Sequence, residues 1–123
     1  MSTGTLLDTL VVLTIDGAIS TGSTTSFVLP QRARIIGVTS HVGTAPAGAD
    51  LIYDIHDDGT TIYTVQANRP TITDAATTAT ATTFGATDLP VIEAGSVLEI
   101  DVDQVGSGTA GSDLSVTIQL QGA

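Results

Sequence analysis

The sequence predicts an all-β fold, a sandwich or a barrel, and three observations carry that prediction. Of the 123 residues, 22 are threonine and 13 are glycine. Threonine is β-branched and suits a pleated, half-wet surface, and glycine serves tight turns. Strand-like runs recur at short spacing between turn signals. Two of those runs, 96–103 and 113–120, alternate apolar and polar residues with a period of two. No helical period, internal repeat or linker interrupts the pattern, and the length fits one domain with its own core.

The first strand is predicted at 9–15, "TLVVLTI", with Val11, Leu13 and Ile15 on one face. "DGAISTGS" turns the chain, and 24–29, "TTSFVL", forms a second strand closed by Pro30. In 34–42, "RIIGVTSHV", Ile36, Val38 and Val42 are assigned to one face and Thr39 and His41 to the other. A loop, "GTAPAGAD", leads to two strands at 51–56 and 60–66. Residues 68–90 are rich in Thr and Ala and nearly uncharged, with one weak strand expected near 78–84. A long, poorly patterned segment of this kind is often functional. In 96–103, Val97, Glu99, Asp101 and Asp103 oppose Leu98, Ile100 and Val102. In 113–120, Leu114, Val116, Ile118 and Leu120 face the core.

The stretch "LIYDIHDDGTTIYT", 51–64, gathers three aspartates and a histidine beside a glycine. As a hairpin it admits two registers. A two-residue Asp58-Gly59 turn pairs Ile55 with Ile62 but sets Leu51 opposite Gln66. A three-residue Asp57-Asp58-Gly59 loop pairs Leu51 with Val65 and Tyr53 with Tyr63, and this better-patterned register is the one expected. As a metal loop, Asp54, His56, Asp58 and Gly59 occupy positions one, three, five and six of a calcium pattern. Position twelve, which needs a bidentate Glu, is Val65, and no helix flanks the loop. Asp54 and Asp58 here, and Asp101 and Asp103 on the later strand, are the residues a cation would use. No metal site is expected.

Thirteen acids against three arginines and no lysine give a formal net charge of −10, which makes nucleic acid and anionic membranes poor partners. There are 11 Asp to 2 Glu. The absent cysteines leave the redox compartment open. The first 16 residues lack a basic region and an uninterrupted apolar run, so no export signal is expected. Catalysis by paired carboxylates needs a pocket that separates their pKa values, and few aromatics are present to wall one. Glu99, Asp101 and Asp103 therefore read as a solvated stripe. His41 and His56 fall on different strands with no third His or Cys to complete a zinc set. Arg32, Arg34 and Arg69 read as partners of nearby aspartates, or as anchors of subunit contacts. No catalytic residue and no cofactor are assigned.

Residues 43–72 followed by 91–120 resemble a β-sandwich domain found widely among virion structural proteins of tailed phages and viruses. The matching elements are "TAPAGADLI", "DGTTIY", "NRPTI", "AGSVLEIDVDQVGS" and "AGSDLSVTI", spread over about the last two-thirds of the chain. The resemblance implies a single antiparallel β-sandwich, jelly-roll-like, of about eight strands, spanning 9–123 behind an N-terminal extension at 1–8. It implies no enzyme activity. A small free-standing sandwich is expected to be a capsid decoration protein. It would bind the major capsid protein in many copies on the outer capsid surface, as a homotrimer with part of 68–90 at an interface. The alternative is a tail or fibre/turret protein with a host-adhesion role, which should show an aromatic-lined glycan site that four aromatics hardly supply. Related turns more often carry Asn where Asp58 stands. The acidic turns lean towards a halophilic host, as for a haloarchaeal tailed virus, with a GC-rich genome as the other source of the missing lysines.

Overall fold

A computed structural model describes residues 8–85 and 89–123. The strands are β1 (Asp8–Ala18), β2 (Thr24–Val28), β3 (Ala33–Thr44), β4 (Leu51–Asp57), β5 (Thr60–Thr61), β6 (Thr71–Ile72), β7 (Thr78–Ala81), β8 (Val91–Ile92), β9 (Val97–Gln104) and β10 (Ser112–Gly122). One sheet runs β1-β10-β3, and β7 and β8 share the far edge of β3. The other runs β2-β9-β4, and β5 and β6 share the far edge of β4. Every pairing is antiparallel. With each split edge counted as one strand, the molecule is a jelly roll of two four-wide sheets, in which the chain alternates between layers. Residues 1–7 of the expected extension, and residues 86–88, lie outside the described residues.

The inter-sheet core follows the alternation. Leu98, Ile100 and Val102 of β9 are buried, as are Leu114, Val116, Ile118 and Leu120 of β10 and Leu51, Tyr53 and Ile55 of β4. Val11, Leu13 and Ile15 share the inward face of β1. The third strand departs from expectation. Its inward set is Ala33, Ile35, Val38, Ser40 and Val42, and Ile36 is not among them. The pairing with β10 slips there: Gln119 sits opposite Gly37 and Leu120 opposite Ile35, so Ile36 is the extra residue of a bulge. An inserted residue reverses the alternation on either side of it.

The hairpin takes the register that the apolar pattern disfavoured. His56 pairs with Thr61 and Asp57 with Thr60, and the Ile62 amide donates to the Ile55 carbonyl at 2.9 Å. Asp58 (φ 48°) and Gly59 (φ 87°) both lie in the left-handed region, as the two central residues of a type I′ turn must. The second strand ends at Thr61 instead of reaching residue 66, and Val65 is exposed. Leu51 finds its apolar partner in Ile72 of β6. Tyr63 is nonetheless buried, as the core reading required, and stacks on Phe84 with ring centroids 5.4 Å apart. Phe84 thus gives the Thr/Ala-rich segment an anchor that its composition did not suggest. The weak strand expected near 78–84 is β7, against β3.

The hydroxyls of Tyr53 and Tyr63 are buried without hydrogen-bond partners. Burial pushes both phenols far above their ordinary range, and for Tyr63 the nearby Tyr53 and then Asp54 add to the shift. The nearby Ser40 hydroxyl works against the shift of Tyr53. An unpaired buried hydroxyl costs about 1–3 kcal/mol in desolvation. Tyr63→Phe keeps the stack on Phe84 and removes that cost, so urea unfolding should show unchanged or increased stability. A loss above roughly 1 kcal/mol would mean that the hydroxyl is bonded.

At the hairpin tip, a Cβ on Gly59 would meet nothing within 4 Å, so backbone conformation alone sets the cost of replacing it. Gly59→Ala should destabilise by about 1 kcal/mol. Asp58→Asn should be nearly neutral, because Asn tolerates this φ and retains the oxygen that accepts the Val97 N–H at 2.8 Å. Equal losses for the two variants in thermal melts would contradict this geometry.

Candidate functional site

Most of the strand-borne acids, with His56, lie on one sheet. On the outer face of the second sheet, Ser26, Glu99 and His56 lie in one cross-strand row, and Thr24, Asp101 and Asp54 in the next. His56 stands between two carboxylates, with Nε2 3.6 Å from Asp54 and Nδ1 3.8 Å from Glu99. Asp103 is paired with Arg69 at 2.7 Å. Asp54 is the deepest of these acids, only 4% exposed. Its Oδ1 accepts from the Thr61 hydroxyl at 2.6 Å and from the Ile55 amide at 2.7 Å, and the Gln66 amide reaches Oδ2 at 3.4 Å. The loop after β5 folds over this strand, so Gln66 bridges Asp54, Thr61 and the Tyr63 carbonyl.

Of the four acids singled out as cation ligands, Asp54 and Asp101 face each other across β4 and β9, and Asp58 and Asp103 lie elsewhere. Asp58 is committed to the Val97 amide at the hairpin tip, Asp54 to Thr61, and Asp103 to Arg69. Among the described residues no three His, Asp or Glu side chains form a metal-holding group. His41 projects from the outer face of the first sheet and is exposed, whereas His56 lies on the second. Arg32 pairs with Glu93 at 3.1 Å on the surface.

The loop aspartates act as tethers. Asp113 accepts the Gly17 amide at 2.7 Å, Asp50 the Asp74 amide at 2.8 Å, and Asp74 the Gly48 amide at 3.1 Å. Each joins segments distant in sequence, using the short reach that Asp has and Glu lacks. A polar groove of about 340 Å³ opens between residues 67–71 and 80–83, and its one charged residue is Arg69, already held by Asp103.

The outer face of the first sheet is the opposite in character. Across its middle run Val12, Thr117, Thr39 and Thr80, and the neighbouring rows contain Leu10 and Gln119, then Ser115, His41 and Thr78. No carboxylate stands in these rows. Leu10 and Val12 are 63% and 56% exposed. Sequence reasoning assigned only the inward half of β1. The signal for the rest was present in "TLVVLTI", which is apolar on both faces, a pattern expected where both faces are covered.

No protein-family model matches the sequence, and no characterised protein is significantly similar to it in sequence. Among solved structures the fold is similar to a chain of the cyanophage Pam1 capsid asymmetric unit. That match has a TM-score of 0.56 and 20% identity, over 96% of this chain and 85% of that one. It is also similar to part of a serine protease of Aeromonas sobria, with a TM-score of 0.51 and 9% identity, over 100% of this chain and 28% of that one. At such identities the likeness is one of fold, and it agrees with the all-β sandwich derived above.

Asp57 supplies a pH test of the hairpin. Burial first, and then the Asp58 carboxylate, raise its pKa above the ordinary 3.8; Ser96 works against the shift and Glu93 adds to it. Its Oδ1 is buried without a partner. Because the folded state holds the proton more tightly, this group's contribution to stability is full below pH 3.8 and is lost as pH rises through the folded value. Asp57→Asn should therefore raise the melting temperature at pH 7, and the gain should shrink as the pH falls towards 4. A gain of equal size at both pH values would rule out ionisation of Asp57 as its cause.

Proposed function

We propose that this chain is a non-enzymatic virion structural protein, a capsid decoration or cement protein that binds the major capsid protein in many copies on the outer capsid surface. The observation that carries the reading is the segregation of charge. In a chain of net charge −10, the middle of one four-wide sheet face carries only Thr, Ser, Gln, His and apolar side chains. Such a face approaches another protein without desolvating carboxylates, which is costly unless each is paired. The acidic sheet then faces solvent and keeps the particle soluble. The fold likeness to a phage capsid chain of similar length supports the same reading. So does the use of Asp50, Asp58, Asp74 and Asp113 as backbone tethers and of Asp103 as the partner of Arg69, which are structural roles for carboxylates.

Mechanism here is binding alone. Weak contacts from one small face gain strength by avidity when copies are joined, and a homotrimer around a three-fold point, with part of 68–90 between subunits, is the arrangement we favour. Host adhesion from a tail or fibre is the competing role.

Two measurements bear on this. When heads and tails of virions are separated, the protein should stay with heads; retention on tails would overturn the assignment. On heads, Thr39→Glu in the middle of the neutral face should lower occupancy, whereas Glu99→Gln on the acidic face should not. Salt dependence follows from the same charges. The Debye length falls from about 10 Å at 0.1 M to about 3 Å at 1 M. Both melting temperature and capsid occupancy should rise between about 0.1 M and 2 M, equally in NaCl and KCl. A flat melting temperature over that range would remove the halophilic host from the reading.

A further inference from the structure

The four sheet edges are unequally protected. The far edge of the first sheet is split between β7 and β8, of four and two residues, and that of the second between β5 and β6, of two residues each. The near edge of the second sheet is β2, with five residues. The near edge of the first sheet is β1, with 11 residues. A long edge strand is a template for adding another strand, and proteins blunt such edges with lysine, proline or a bulge. β1 contains neither lysine nor proline, and its register shift lies only between Ile15 and Ala18. The stretch 8–14 is left regular.

Two further features lie at this same edge. Leu10 and Val12 stand exposed on its outer face. On its inner side an apolar groove of about 100 Å³ opens beside Thr9, Val11, Leu29, Pro30 and Leu120.

We propose that β1 pairs antiparallel with β1 of a second copy across a two-fold axis at Val11, which joins the two four-wide sheets into one eight-wide sheet. The register is self-complementary. Centring on Val11 sets Leu10 opposite Val12 of the other copy, twice, and gathers four exposed apolar side chains into one cluster. It sets the two Val11 residues opposite each other above the apolar grooves. Centring on Val12 instead would set positions 8 and 16, both aspartate, opposite each other on each side, where like charges repel. A second copy is the favoured occupant because an isologous contact requires one surface to match itself, and this one does. Two copies of a −10 chain can also meet here at high salt, since the acidic sheet face is in the other layer and only Asp8 and Asp16, at the ends of β1, come near the seam, diagonal to each other and not directly opposed. Both neutral faces then point the same way and form one wider docking surface. The contact leaves 68–90 free for a three-fold arrangement.

The chain has no cysteine, so single-cysteine variants report the register cleanly. Directly opposed residues of an antiparallel pair have Cα atoms about 4.5–5.5 Å apart, within reach of a disulfide. In the proposed register the two copies of residue 14 are roughly 20 Å apart, at about 3.4 Å per residue. The purified protein, in 2 M salt without capsids, should form a covalent dimer under mild oxidation as Val11→Cys and not as Thr14→Cys. In sedimentation equilibrium, Val12→Lys should weaken dimerisation about tenfold or more, which is 1.4 kcal/mol. That variant also reduces the net negative charge, so added repulsion cannot be the cause. A monomeric wild type at hundreds of micromolar, or equal cross-linking of the two cysteine variants, would each overturn the proposal. Because the assay contains no capsid, it can fail while the decoration reading stands.

Discussion

Two sheets share a dry core only if every long strand keeps one face apolar, and that requirement decides where this chain can place its charge. β4, β9 and β10 meet it with Leu, Ile, Val and Tyr at alternate positions. The inward faces are thereby closed to acids, which are left with outer faces, turns and strand ends. The outer face of β9 takes Glu99, Asp101 and Asp103, while that of β10 takes Ser115, Thr117 and Gln119. The core constraint alone does not require that asymmetry. It permits a molecule with one charged and one neutral side, and the sequence uses the permission.

The excess of Asp over Glu has a structural part. Asp50, Asp58, Asp74 and Asp113 each accept a backbone N–H from a different loop or strand end. Backbone donors in a loop-rich sandwich must be satisfied somewhere, and a carboxylate one methylene from the main chain does so with little side-chain entropy to lose. These four positions call for a short side-chain oxygen acceptor, Asp or Asn, whatever the salinity.

Legibility from sequence tracked how local the deciding interaction is. β9 and β10 are readable because a period of two over eight residues needs no partner to interpret. The bulge at Ile36 is not, although the glycine at position 37 within "RIIGVT" is the residue type that marks such irregularities. The hairpin register fails for a related reason. Counting apolar pairs assumes that the strand after the turn continues to residue 66, so that Leu51 needs a partner from it. In the structure that partner is Ile72, which arrives on β6 after the chain has looped out and folded Gln66 over Asp54. Once a third segment supplies the pair, local turn chemistry decides, and Asp-Gly favours the two-residue turn. The acidic stripe is legible as a stripe. The neutrality of the opposite face is not, because it depends on which strands lie side by side.

The split edges connect fold to assembly. A jelly roll leaves four edges, and three of these are two to five residues long where they pair, too short to template much addition. Among the described residues only β1 spans the full width of its sheet while lacking a neighbour on one side. The apolar side chains that make its outer face unusual are at the regular end, away from the bulge near Asp16 and Gly17. A bulge at one end and a smooth apolar ladder at the other would limit pairing to a defined stretch, which gives a finite two-fold contact instead of an open array. Screening then sets the scale. The pairing keeps the acids on the outer face of β9 several strands apart, and the acids nearest the seam are Asp8 and Asp16 at the two ends of β1, so screening to about 3 Å near 1 M salt removes most of the opposing field while leaving the apolar contact intact.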